Sequence, residues 1–179
     1  RDMIAGRMLA LGIEPMGENG YFQKFPVSEY AAVDYDATRL LVGRAQLQGH
    51  VDFYPVSISS HTGKASGKTV YVGYGITTED GSYDDFNGLT IEGAIAVMNV
   101  SSPDGIHPHS AYAAYHSLNQ RVANLEEKGA KAVLLINPDG TASDTQEFFK
   151  SINASTVPVF FVRNEAVANK LMKRVQKVN

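Results

Sequence analysis

The sequence predicts an α/β fold with β/β/α layering, in which an antiparallel β layer lies beside a small, mostly parallel sheet covered by helices. Two observations carry this. The first half holds short runs of Leu, Val and Tyr broken by Gly and Pro, the pattern of antiparallel strands. The second half reads strand, helix, strand, loop, strand, helix, and its continuous apolar runs suit strands covered on both faces. At 179 residues, 44% hydrophobic and 20% charged, the chain can bury one domain's core.

The elements follow in order. An amphipathic helix with Ile4, Met8 and Leu11 on one face closes at Gly12, with Pro15 just beyond. Asn19-Gly20 is a turn, and residues 21–27 form an aromatic strand that Pro26 confines to an edge or an end. Within residues 33–58, Leu40-Leu41-Val42 and the run from Val51 to Val56 read as hairpin-like strands. Residues 59–68 are a polar loop. Residues 69–76 form a strand in which Gly73 and Gly75, flanking Tyr74, mark a bulge or a close backbone approach. A turn-rich loop follows over residues 79–88, carrying Asp80, Asp84 and Asp85. Residues 94–100, 118–128 and 131–137 make a βαβ unit, with Leu118, Val122 and Leu125 aligned on its helix and Gly129 at the helix end. Pro138-Asp139-Gly140 turns the chain. Residues 157–162 are a last apolar strand, and Asn164 is placed to cap a final helix whose stripe is Val167, Leu171 and Val175.

Several function classes are excluded or lack their marker. A formal net charge of -3 supplies no basic footprint, so nucleic acid is not an expected partner. No apolar run approaches the length of a membrane span, and no segment reads as a signal peptide. The absence of cysteine excludes disulfides, thiolate metal sites and cysteine nucleophiles. No Gly-x-Ser-x-Gly elbow is present. Gly63-Lys64-Ala65-Ser66-Gly67-Lys68-Thr69 imitates a phosphate loop, but it is one residue short and enters a strand instead of a helix, so the anion cradle is missing.

The remaining candidates are local clusters. His107, His109 and His116, with Asp104 nearby, form the densest set of metal-capable side chains; they offer the alternative of a small stand-alone metal-binding protein or hydrolase. Glu79, Asp80, Asp84 and Asp85 could offer oxygens to calcium, although no EF-hand spacing is present. His50-Val51-Asp52, whose alternate residues would project to one face of a strand, and the adjacent Glu126-Glu127 are two further pairs of ligand-capable side chains. Neighbouring helix residues such as Glu126 and Glu127 diverge by about 100°, however, and do not converge on one ion. Tyr74, Tyr83, Tyr112 and Tyr115 are candidate contacts for a peptide or partner, since a tyrosine ring touches apolar groups while its hydroxyl hydrogen-bonds.

The run Val70-Tyr71-Val72-Gly73-Tyr74-Gly75-Ile76, the Tyr83-Asp84-Asp85 loop, Gly88-Leu89 and Ile91-Glu92-Gly93 together resemble the protease-associated insert of bacterial zinc aminopeptidases of the di-zinc exopeptidase family. Lys128-Gly129-Ala130-Lys131-Ala132-Val133-Leu134 and Val157-Pro158-Val159-Phe160-Phe161-Val162 are similar to later pieces of the same insert, in the same order. Gly12-Ile13-Glu14-Pro15 and Tyr21-Phe22-Gln23-Lys24-Phe25 resemble the segment leading from the first peptidase helix into it. The sequence departs from the pattern at Ala94, where the family places a lysine after the glycine.

The resemblance implies a swivelling-type β/β/α domain spanning residues 26–179, preceded over residues 1–25 by a helix and connector of the peptidase. It implies an accessory domain with no catalytic, cofactor-binding or metal-binding residue of its own, influencing substrate access or contacting protein and peptide. Its partners would be the peptidase domain of its own chain and the peptide substrate. Zinc would be held by the peptidase portion, expected after Asn179, where a His-x-Asp pair belongs; the one at His50 comes too early. A secreted or periplasmic location goes with the family.

Overall fold

Residues 132–136 read Ala-Val-Leu-Leu-Ile, and all are buried, as a strand covered on both faces requires. In the computed structural model, which describes residues 2–25, 33–56, 63–138 and 155–173, that strand is the middle of a five-stranded sheet. The described strands are β1 (Leu40–Val42), β2 (Ala45–Leu47), β3 (Phe53–Pro55), β4 (Thr69–Tyr71), β5 (Ile95–Asn99), β6 (Ala132–Ile136) and β7 (Val159–Val162). The sheet runs β3-β7-β6-β5-β4, with β4, β5, β6 and β7 parallel and β3 antiparallel on the outside. The helices are α1 (Asp2–Ala10), α2 (Leu118–Glu127) and α3 (Glu165–Lys173). The chain divides into two units, Arg1–Ala31 and Ala32–Asn179.

In the larger unit, strand alternation sorts the core onto the two faces of the sheet. Ala96, Met98, Val133, Leu135, Val159 and Phe161 face Leu118, Val122 and Leu125 of α2. The alternate residues Val97, Leu134, Ile136 and Val162, with Phe53, face Ala168 and Leu171 of α3 and Val42 and Leu47 of the β1–β2 hairpin. The expected α/β architecture is present, its antiparallel layer being this two-stranded hairpin, which shares its face of the sheet with α3. The β5-α2-β6 unit is the predicted βαβ. Gly129, at φ 81°, ends α2, where Ala130 N–H reaches Leu125 O at 3.0 Å and Gly129 N–H reaches Glu126 O at 2.9 Å, a Schellman closure. Asn164 caps α3, its side-chain oxygen accepting from Val167 N–H at 3.2 Å.

Three expectations are corrected. The run from Val51 to Val56 makes no local hairpin: β3 pairs with β7, Phe53 opposite Val162 and Pro55 opposite Phe160, a contact between residues over a hundred positions apart that no local pattern announces. Pro55 is tolerated because β3 is an outer strand. The strand expected over residues 69–76 ends at Tyr71, because Gly73 and Gly75 take φ 54° and 67° and turn the chain away. The strand expected over residues 21–27 is absent from its described part, residues 21–25. Phe22 instead exchanges hydrogen bonds with Asn19 across the turn at Gly20, so the chain folds back on itself there.

The smaller unit holds α1, which also ends in a Schellman closure: Ile13 N–H reaches Met8 O at 3.1 Å, Gly12 N–H reaches Leu9 O at 3.0 Å, and Gly12 takes φ 71°. No residue of α1 is buried, and Ile4 and Leu11 are 61% and 70% exposed. The predicted turn at Pro138-Asp139-Gly140 and the continuation of the last stripe to Val175 lie outside the described residues.

Candidate functional site

Open α/β sheets bind ligands beyond the carboxyl ends of their parallel strands, and here the sequence's densest polar clusters gather at that end. The turn after β4 is built around Asp85. Its Oδ2 accepts from Tyr74 N–H at 3.0 Å and Ile76 N–H at 3.1 Å, and its Oδ1 accepts from the Tyr83 hydroxyl at 2.8 Å. Gly73 has no Cβ because one would overlap the Asp85 carboxylate. Gly75 has none because one would stand 2.6 Å from Met98 Sδ. Burial raises the Asp85 carboxyl above its ordinary range, against the lowering effect of these hydrogen bonds. Burial and the bond to Asp85 raise the Tyr83 phenol, and the Tyr83 ring meets Tyr112 edge-on at 5.3 Å.

Beneath this turn lies Arg121, which is 2% exposed. It occupies the apolar stripe of α2 between Leu118 and Leu125, yet its guanidinium is enclosed by backbone carbonyls. Nη1 donates to Tyr74 O at 2.9 Å, Ser101 O at 2.8 Å and Asn99 O at 3.3 Å; Nη2 donates to Val100 O at 2.8 Å and His116 O at 3.3 Å. The end of β5 and the segments on either side of it are thereby tied to one side chain. Desolvation lowers Arg121 to about 10, with the Asp85 charge opposing the fall. Nε has no partner among the described residues.

The loop after β5 has its own network. Ser110 Oγ donates to Asp104 Oδ1 at 2.7 Å, and Ser102 Oγ donates to Gly105 O at 2.7 Å. Each hydroxyl has one proton to give, so His116 Nε2, 3.1 Å from Ser110 Oγ and 3.2 Å from Ser102 Oγ, carries a proton and donates it. With the serine protons so assigned, the Asp104 carboxylate holds Ser110 instead of the ring, the reverse of the serine-to-imidazole bond of a nucleophile triad. Burial, then the Arg121 charge, lowers the His116 pKa.

Between the turn after β4 and α2 runs an open groove of about 400 Å³, lined by Gly75, Ile76, Thr77 and Glu79 on one side and Ala114, Tyr115, Gln120, Arg121 and Asn124 on the other. Of the tyrosines singled out in the sequence, Tyr115 lines this groove, and its hydroxyl accepts from Glu79 N–H at 3.1 Å. Tyr74 gives its carbonyl to Arg121, and Tyr83, bonded to Asp85, meets Tyr112 edge-on.

The remaining candidates separate. His107 Nε2 lies 3.1 Å from Asp104 O while His116 faces the serines, and among the described residues no three His, Asp or Glu side chains gather as a metal set. His107, His109 and His116 are thus not brought together, and the aspartates of the 79–88 loop serve the fold, Asp84 Oδ1 accepting from Thr77 Oγ1 and Phe86 N–H and Asp80 Oδ1 from Ser82 N–H and Oγ. His50 and Asp52 sit in a turn, not on a strand. His50, at φ 66°, stacks on Tyr35 with ring centroids 3.5 Å apart, while Asp52 accepts from Asn164 Nδ2 at 2.7 Å and Gln48 N–H at 2.8 Å, fastening the α3 cap. Glu126 accepts from Thr156 N–H at 3.1 Å. Residues 63–68 enter β4 directly, with no helix to form a phosphate cradle. No helix among the described residues is long and apolar enough to cross a membrane.

Sequence reading missed Arg121. Its signal is a charged residue at the i+3 position of the stripe Leu118, Val122, Leu125, where burial forces a charge to find partners.

The PA domain family matches residues 65–170. Among solved structures, the aminopeptidase from Aneurinibacillus sp. strain AM-1 is similar at 22% identity and a TM-score of 0.49, over 76% of this chain and 27% of that one. The chain thus spans little more than a quarter of that protein's 100% length, at 27%. No curated protein matches the chain.

Proposed function

The chain belongs to the PA domain family, and on that premise we propose that it is a non-catalytic accessory domain of a zinc-dependent aminopeptidase, modulating substrate access or mediating protein and peptide contacts. The single observation that carries the reading is the family match over residues 65–170. The disposition of the polar side chains supports it: Asp85, Asp104, His116 and Arg121 spend their hydrogen bonds on the fold. The aminopeptidase parentage rests on the resemblance of the Val70 to Ile76 run, the Tyr83-Asp84-Asp85 loop and the Val157 to Val162 strand. Residues 1–25 are read as a peptidase segment and 26–179 as the accessory domain, and the exposed apolar residues of α1 suit a helix that packs against the peptidase. Zinc belongs to that peptidase portion, and the compartment is secreted or periplasmic.

The test is turnover. The purified 179-residue chain, supplied with zinc, is expected to release no chromophore from an aminoacyl anilide. Hydrolysis that persists through repurification and is lost on His50→Ala or Ser110→Ala would overturn the reading.

A further inference from the structure

We propose that the groove beside Thr77 is a β-augmentation site that takes an extended peptide bearing a positive charge. The proposal deepens the accessory reading, on which it rests for the peptide as occupant.

The backbone geometry supplies the edge. Thr77 pairs with Asp84 in an isolated antiparallel bridge, whose hydrogen bonds are made by its neighbours: Asp85 N–H to Ile76 O at 2.9 Å and Thr78 N–H to Tyr83 O at 2.9 Å. In such a pair the bridging residue turns its own N–H and C=O to the opposite side. Thr77's N–H and C=O have no hydrogen-bond partner among the described residues, and Thr77 lines the groove. Glu79, in the turn two residues on, donates its N–H to the Tyr115 hydroxyl of the facing wall. The groove therefore borders a one-residue bridge whose outer side offers one donor and one acceptor to an added strand. An extended peptide residue opposite Thr77 would satisfy both, as in strand addition.

The facing wall suits a peptide backbone as well. Gln120 and Asn124 each present a side-chain amide, a donor and an acceptor together, and neither side chain has a hydrogen bond among the described residues. The charge at the groove is negative. Glu79 lines it and Asp80 flanks it, Asp84 is partly offset by Lys128, and the lining cation, Arg121, is turned into backbone carbonyls. A ligand ammonium is thus favoured over a carboxylate, and it can come from a peptide amino terminus or from a lysine side chain.

The test uses the full chain labelled with 15N and a heptapeptide of alternating Val and Thr with a free amino terminus, titrated to roughly millimolar concentration. The Thr77 amide is expected to shift saturably. N-methylating the peptide's central amides, which leaves the protein untouched, removes the N–H that pairs with the Thr77 carbonyl and is expected to weaken binding about three- to tenfold. Acetylating the amino terminus is expected to weaken binding, and placing one lysine in the acetylated peptide to restore it, which separates the two sources of charge. Glu79→Gln, with its spectrum otherwise unchanged, is expected to cost about two- to fivefold and to flatten the salt dependence. No shift at Thr77, or equal binding of the N-methylated peptide, would overturn the strand-edge assignment, and equal binding of the acetylated lysine-free peptide would overturn the charge preference. Failure here without hydrolysis of the anilide removes the groove alone; hydrolysis with a Thr77 shift removes the non-catalytic reading and leaves the groove standing.

Discussion

Replacing Arg121 with methionine keeps the length and much of the volume of the side chain while removing the guanidinium. Three of its bonds are short, to Tyr74 O at 2.9 Å and to Ser101 O and Val100 O at 2.8 Å, and two are long, at 3.3 Å. Each buried carbonyl left without a donor costs about 1–3 kcal/mol, so the three short bonds bound the loss at about 3–9 kcal/mol. Relaxation of the loops after β4 and β5, and water entering from the adjoining groove, place the expected loss near the bottom of that range, about 3–5 kcal/mol. Against a typical domain stability of about 5–15 kcal/mol, that removes a large fraction. Arg121→Lys keeps a charge but lacks the planar fork of donors, so it is expected to recover less than half of the loss. Urea unfolding followed by circular dichroism measures both. A loss below about 1 kcal/mol for Arg121→Met would refute the claim that this side chain ties the end of β5 to the turn after β4.

The glycines of that turn give a second expectation. Gly73→Ala places a Cβ onto the Asp85 carboxylate at φ 54° and is expected to cost more than about 2 kcal/mol, whereas Gly81→Ala, at φ 69° with nothing within 4 Å of its Cβ, pays only the left-handed backbone, about 1 kcal/mol; equal losses in urea melts would remove the clash. The carboxylates give a third. Burial raises Asp85, so its contribution to stability is full below the unfolded carboxyl pKa near 4 and is lost as pH rises through the folded value. The Thr77 hydroxyl, then Phe86 N–H, lower Asp84, whose contribution is present above the unfolded pKa and lost as pH falls through the folded one. Carboxyl 13C titration should therefore show Asp85 protonating at higher pH than Asp84, and the opposite order would contradict the burial of Asp85.

What was legible in the sequence was local and periodic. The closures at Gly12 and Gly129, the cap at Asn164 and the β5-α2-β6 unit each depend on residues within a few positions, where backbone preference and apolar spacing decide the outcome. The two glycines around Tyr74 signalled a close approach correctly, though not that the Asp85 carboxylate fills the space at Gly73. What was not legible depends on distant partners. Nothing near Phe53 says that it pairs with Val162, and nothing near Asp52 says that it fastens the Asn164 cap. Arg121 is harder still, because its role comes from carbonyls at Tyr74, Asn99, Val100, Ser101 and His116, which converge only once the sheet has formed. The Thr77 edge is invisible for the same reason: whether a backbone N–H is free depends on what it faces, not on its side chain.

As proposed, this domain contacts peptide without turning it over. One measurement addresses both halves: 15N spectra of the full chain with zinc and the free-amino heptapeptide, recorded over a day. The expected result is a saturable shift of the Thr77 amide, with the peptide still intact by mass spectrometry at the end; peptide cleavage, or a Thr77 amide that never responds, would contradict it.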